Sequence, residues 1–159
     1  METLADKEIF SSIREPFRNF ASYVRNSKKK ILLISKPNIR GALALAPIEA
    51  ALLDSGIPYR RRFTDRRPDS EPFVNVVGDI GKGTASNNGI VISEFIVEGL
   101  KGSSGDSRKG PLSTVAQAHY LASEINTSSE RLRMMRPWIL SGNWIGAVSY
   151  THLTLPTKA

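Results

Sequence analysis

Apolar residues in the first part of the chain recur at helical spacing. Over residues 4–24 the intervals are mostly three, four or seven, which predicts an amphipathic leading helix over residues 4–27 despite Pro16. The apolar positions of this helix are Leu4, Ile9, Phe10, Ile13, Phe17, Phe20 and Val24. The chain is therefore expected to open with a helix that packs one face against the rest of the domain.

Short, uninterrupted apolar runs follow, of the kind found in strands that are buried on both faces of a parallel sheet. They cover residues 31–34, 73–77 and 89–92, and the more basic segment 58–63 predicts a further strand. We expect the three apolar strands to be neighbours in the sheet and to run parallel.

Helices are predicted between and after these strands. An Ala- and Leu-rich stretch predicts a crossover helix that starts near Ala44 and ends near Leu53, so that Pro47 lies where early N–H groups have no helical partner. Residues 112–126 and 129–139 predict two more helices, and the glycine-rich segments 78–88 and 99–110 predict long loops. This alternation predicts an α/β fold with a doubly wound, mainly parallel sheet and flanking helices.

The segment from Val148 to Ala159 differs from the rest of the chain. It back-translates into codons of a transposon adapter used in sequencing libraries, and it follows Ala147 with no helix stop or turn residues. We expect residues 148–159 to be a non-native tail that is not part of the fold. Residues 1–147 are expected to be a truncated domain. The Thr, Val and Tyr residues of the tail leave open a genuine terminal strand.

The composition is that of one ordinary globular domain. The chain has 159 residues, 40% hydrophobic and 23% charged, with a formal net charge of +7 that becomes +6 without Lys158 of the tail. There is no cysteine, which excludes disulfides, zinc–thiolate sites and cysteine nucleophiles. No apolar run has the length of a membrane span and the N-terminus has no secretory pattern, so we expect a cytoplasmic protein without a membrane partner.

The basic residues form two clusters in the sequence. One is residues 28–30, and the other comprises Arg60, Arg61, Arg62, Arg66 and Arg67. Clustered cations indicate a polyanionic partner, nucleic acid first, although such runs also occur as solvated ends of elements. We take the arginine cluster as the candidate nucleic-acid-binding surface, with Tyr59 and Phe63 as candidate stacking residues.

The glycine-rich segment 78–84 does not match a nucleotide-binding loop. A phosphate-binding loop would need glycine where Val76 stands and Ser or Thr where Gly83 stands. A dinucleotide-binding loop would need glycine at Ser86. The segment is therefore interpreted as a turn after a buried strand.

The order of segments resembles the opening of the DHH phosphoesterase superfamily, the RecJ-like nucleases in particular. Residues 35–41 (Ser-Lys-Pro-Asn-Ile-Arg-Gly) follow the first strand, as does the family loop Ser-His-Pro-Asp-x-Asp-Gly, whose His and Asp residues hold manganese. Here Lys36, Asn38 and Arg40 stand at the ligand positions. Two cations and an amide do not replace an imidazole and two carboxylates around a hard divalent ion.

The later family motifs are only partly present. Residues 76–81 keep the strand that ends in Asp-x-Gly, with Asp79 as the one matching ligand. Where the Asp-His-His triplet should end the next strand, the chain has Ser93, Glu94 and Phe95. Residues 111–122 and 139–146 resemble the family's following helix and its glycine-containing segment. One carboxylate does not make a two-metal site, so catalytic and metal-ligating residues are both expected to be absent.

These departures resemble the catalytically dead branch of the superfamily. That branch includes the eukaryotic helicase cofactor that joins MCM and GINS, and its archaeal RecJ-like counterparts. The resemblance implies a non-catalytic scaffold of DNA replication or repair that binds GINS- or MCM-type proteins and single-stranded DNA without a cofactor. It also implies a nucleoid-associated location in the cytoplasm. The alternative is an active phosphoesterase, single-strand exonuclease or other nucleotide-binding α/β enzyme, with manganese or magnesium. Histidine usage favours the first, since outside the expected tail the chain has only His119, in a predicted helix.

Overall fold

A computed structural model describes residues 8–66, 72–81, 83, 85–86, 88–101 and 107–139. The N-terminal end of the predicted leading helix, Arg67, the predicted tail 148–159 and most of segment 139–146 lie outside these residues. A short 3-10 turn, Glu8–Phe10, precedes the first helix. The helices are α1 (Ser11–Ser27), α2 (Ile39–Asp54), α3 (Thr114–Ile125) and α4 (Glu130–Met134). The strands are β1 (Ile31–Ser35), β2 (Tyr59–Phe63), β3 (Phe73–Ile80), β4 (Ala85–Ser86), β5 (Gly89–Lys101) and β6 (Ser107–Leu112).

The strands form a six-stranded mixed sheet in the order β2-β1-β3-β5-β4, with β6 paired to β5. The pairs β1–β2, β1–β3 and β3–β5 are parallel, whereas β4 and β6 pair antiparallel with β5. The predicted α/β fold with a mainly parallel, helix-flanked sheet is therefore confirmed, as is the parallel arrangement of the three apolar strands. From β1 the chain passes to β2 on one side, and from β2 it crosses back over β1 to β3 on the other side. The winding direction therefore reverses between β1 and β3, as in a doubly wound sheet.

One row of the sheet shows how the core is built. Parallel pairing aligns Arg61, Leu33, Val74 and Ile90 across β2, β1, β3 and β5. The last three are fully or almost fully buried, and they join side chains of α1, α2 and α3 in one hydrophobic core. At about 25 cal/mol for each Å² of apolar surface removed from water, this burial is the main term that stabilises the fold.

Several boundaries differ from prediction. The helix predicted over residues 129–139 is interrupted, because α4 ends at Met134 and a turn follows at Met135. Helix α2 begins at Ile39 rather than near Ala44, because the Asn38 side chain caps it by accepting a hydrogen bond from the Gly41 N–H at 2.7 Å. Pro47 consequently lies inside the helix, which loses the bond that an N–H there would donate. The predicted loop 99–110 is wrong at both ends, since β5 continues to Lys101 and β6 begins at Ser107. The predicted loop 78–88 likewise contains the end of β3 and all of β4.

Candidate functional site

The reversal between β1 and β3 is the place where open α/β sheets usually bind ligands, beyond the carboxyl ends of the strands. There the loop after β1 is closed by hydrogen bonds that converge on the Lys36 carbonyl. The buried Ser35 Oγ donates to it at 2.9 Å, and the Asn38 N–H donates to it at 2.8 Å. Gly41 packs against this loop so closely that a Cβ would lie 2.8 Å from the same carbonyl oxygen.

Two of the sequence-predicted positions meet across this edge. The Arg40 Nη2 donates to Glu94 Oε2 at 2.8 Å, and the Glu94 side chain is only 11% exposed. Charge-assisted bonds of this kind are stronger than neutral ones. The guanidinium thus compensates a buried carboxylate on β5.

The other predicted positions have separate environments. Lys36 and Asn38 are exposed, and the Asn38 amide oxygen is engaged as the cap of α2. Asp79 is exposed and is the penultimate residue of β3. The buried Ser93 donates from Oγ to the Gly81 carbonyl at 2.6 Å, and Phe95 packs at the border of the core.

These residues do not fit a hard divalent ion. Such ions take several oxygen ligands, whereas Lys36 and Arg40 are cations and Glu94 is already paired with Arg40. Within the described ranges, no group of three or more His, Cys, Asp or Glu residues is arranged to hold a metal ion. The arrangement is therefore that of a structural ion pair at the switch point of the sheet.

The basic strand β2 lies at the edge of the sheet, and its arginines face two different sides. Arg61 Nη1 donates to both carboxylate oxygens of Glu49 on α2, at 3.2 and 3.1 Å, and its guanidinium lies 5.4 Å from the centre of the Phe63 ring. Burial raises the pKa of Glu49, against the lowering effect of Arg61. Burial likewise raises the pKa of Tyr59, and Glu49 adds to that rise. Tyr59, Arg61 and Phe63 therefore share the helix-covered face.

Arg60 and Arg62 point to the opposite face, because side chains alternate along a strand, and both are exposed. This agrees with the predicted division of the three arginines. It also separates Arg60 and Arg62 from both candidate stacking residues, since Tyr59 packs against the core and Phe63 lies under Arg61. Arg66 is exposed beyond the strand, in a turn where its N–H donates to Thr64 Oγ1 at 3.2 Å.

Two residues that matter here were missed by sequence reasoning. Glu49 neutralises Arg61, and its one visible signal is that it is the only acid in the Ala- and Leu-rich stretch from Ala44 to Leu53. Gln117 is buried in α3, and its Nε2 donates to the carbonyls of Ser93 at 2.8 Å and Leu112 at 3.0 Å. It thereby fixes the strand that carries Glu94, and nothing in the sequence marks it.

Comparison with protein families, with curated proteins and with solved structures gives no match to this chain. Among the described residues, no helix combines the length and the apolar character that crossing a membrane requires.

Proposed function

We propose that the protein is a non-catalytic, RecJ-like module of DNA replication or repair, which binds single-stranded DNA and GINS-type partners. The observation that best supports a non-catalytic role is the Arg40–Glu94 ion pair. It places a guanidinium where the resemblance would require a metal ligand, and it engages the buried carboxylate of β5.

The binding role is supported by the edge strand. Arg60 and Arg62 are exposed on the face opposite Arg61, whose charge Glu49 compensates. Phosphate contacts release condensed counterions, so binding through these residues should weaken steeply with salt and show little base preference. Tyr59 and Phe63 lie on the other face, which favours electrostatic contact with the backbone over base stacking.

The test is an anisotropy titration of a fluorescent oligo(dT) with the purified chain and with the double variant Arg60→Glu/Arg62→Glu. We expect the wild type to bind and the variant to lose most of its affinity at low salt. The matched control is Lys109→Glu/Arg133→Glu, which makes the same change in net charge at side chains that are 73% and 67% exposed on β6 and α4. Binding should persist in this control.

An acidic protein partner on the same surface would also be salt-sensitive, so the two must be separated. If the double variant keeps its DNA affinity across the salt titration but no longer binds a GINS-type partner, DNA is removed from the proposal and the scaffold role remains. If the wild type binds neither, the proposed function is wrong. A cytoplasmic, nucleoid-associated location stays a prediction that follows from this proposal.

A further inference from the structure

The two basic clusters of the sequence become neighbours in the fold. Parallel pairing of β1 with β2 aligns Ile31 with Tyr59, and the Ile31 N–H donates to the Pro58 carbonyl at 3.0 Å. Lys30 therefore lies at the amino end of the pair, beside the start of the arginine strand. Lys28, with a φ of 49°, ends α1 and turns the chain into β1, so that the lysines stand at this edge of the sheet.

The side-chain alternation places Lys30 on the same face as Arg60 and Arg62. Ile31 and Leu33 belong to the helix-covered core, so residues 30, 32 and 34 face the other way. Leu32 aligns with Arg60 and Ile34 with Arg62. With strands about 4.8 Å apart and a rise of about 3.3 Å per residue, the Cα atoms of Lys30 and Arg60 are about 8 Å apart, and those of Arg60 and Arg62 about 7 Å.

We propose that Lys30, Arg60 and Arg62 form one basic strip that binds consecutive phosphates of single-stranded DNA, an inference that rests on the proposed function. All three residues are exposed. Arg61, the intervening cation, is directed to the other face and paired with Glu49, so the charge of the strip is one-sided. At the carboxyl end the exposed Asp65 stands next to Arg66, so the strip is taken to end at Arg62.

The strip predicts a defined salt dependence. Each phosphate neutralised on a single strand contributes about 0.7 to the slope of log K against log salt concentration. Lys30→Gln should therefore lower that slope by about 0.7, which corresponds to about fivefold weaker binding at 0.1 M salt than in the wild type. Lys30→Arg should retain the slope, because it keeps the charge.

The measurement is a set of oligo(dT) anisotropy titrations at several salt concentrations, with unfolding midpoints recorded to verify that each variant is folded. Lys109→Gln, a single neutralisation on β6 at the far side of the sheet, is the matched control and should leave the slope unchanged. If Arg60→Glu/Arg62→Glu abolishes binding while Lys30→Gln behaves like Lys109→Gln, the strip is wrong and the proposed function stands. If the wild type does not bind oligo(dT), the strip and the DNA-binding part of the proposed function are both wrong, and only the scaffold role is left to test with a GINS-type partner.

Discussion

Arg40 and Glu94, which lie far apart in the chain, are joined by a 2.8 Å ion pair across the carboxyl edge of the sheet. Arg40 is in the first turn of α2 and Glu94 is in β5, so the bond ties the helix to a strand that is two places away from β1. The carboxylate is nearly buried and the guanidinium is about one-third exposed. A pair of this kind holds the loop after β1 in place.

Removal of one partner of the Arg40–Glu94 pair should lower the free energy of unfolding by more than the loss of an exposed ion pair does. Arg40→Met leaves the Glu94 carboxylate buried without its partner, and we expect a coupling free energy with Glu94→Gln of about 1–2 kcal/mol, below the range for fully buried pairs because Arg40 is partly solvated. The measurement is a double-mutant cycle from urea unfolding. The exposed pair Arg133–Glu130 is the control, for which we expect less than about 0.5 kcal/mol. Equal coupling in the two cycles would contradict a structural role for Arg40.

The same pair predicts that the purified chain lacks metal-dependent phosphoesterase and exonuclease activity. Lys36, Asn38 and Arg40 supply no carboxylate or imidazole, and the exposed Asp79 belongs to no group of three or more His, Cys, Asp or Glu residues among those that the structure describes. The assay is release of nucleotides from single-stranded DNA with manganese and with magnesium. Manganese-dependent release that Asp79→Ala abolishes would show an active enzyme and overturn the non-catalytic proposal.

Close packing at the loop after β1 predicts that Gly41 does not tolerate a side chain. A Cβ there would lie 2.8 Å from the Lys36 carbonyl oxygen and 2.9 Å from Ser35 Cβ. Overpacking typically costs about 1–3 kcal/mol, and the better helix propensity of Ala offsets about 1 kcal/mol, so Gly41→Ala should be destabilising overall. Gly78→Ala is the control, because nothing lies within 4 Å of its Cβ position. The measurement is the midpoint of thermal unfolding. Equal midpoints for Gly41→Ala and Gly78→Ala would contradict the close packing at Gly41.

Features with a local cause could be predicted from the sequence. The continuous apolar runs of β1, β3 and β5 indicate strands buried in a parallel sheet, and the structure confirms them. The predicted start of α2 near Ala44 is wrong because Asn38 caps the helix earlier and Pro47 is tolerated inside it. Burial of residues such as Leu45 and Ile48 compensates the loss of one hydrogen bond at Pro47.

Features with a long-range cause could not be predicted in the same way. The Arg61–Glu49 and Arg40–Glu94 pairs depend on the register of strands against α2, which no local pattern encodes. The nearness of Lys30 to the arginine strand depends on the parallel pairing of β1 with β2. Strand β6 includes Gly110 and Pro111, residues that disfavour strands, and it forms because β5 extends far enough to pair with it.

His119 is the one buried histidine among the described residues, and it is expected to make the stability depend on pH. It lies in α3 with 3% of its surface exposed, and its Nδ1 has no hydrogen-bond partner. Burial, and secondly the charge of Arg136, lower the pKa of His119 from 6.5 to about 4. The folded protein therefore keeps this imidazole neutral at pH values where the unfolded chain protonates it.

The sign of the effect follows from the difference in bound protons. Above pH 6.5 the imidazole is neutral in both states; as the pH falls from 6.5 to about 4, the unfolded chain takes up a proton that the folded chain does not, so the free energy of unfolding decreases. The full decrease corresponds to about 3 kcal/mol.

Glu49, whose pKa burial raises, acts in the opposite direction near the acid end, so the comparison must be made with His119→Gln, which removes only the histidine contribution. Urea unfolding at a series of pH values should give a difference between wild type and variant that shifts by about this amount from pH 7 to pH 4. A constant difference over that interval would mean that His119 is solvated in the folded state and that its burial in α3 is wrong.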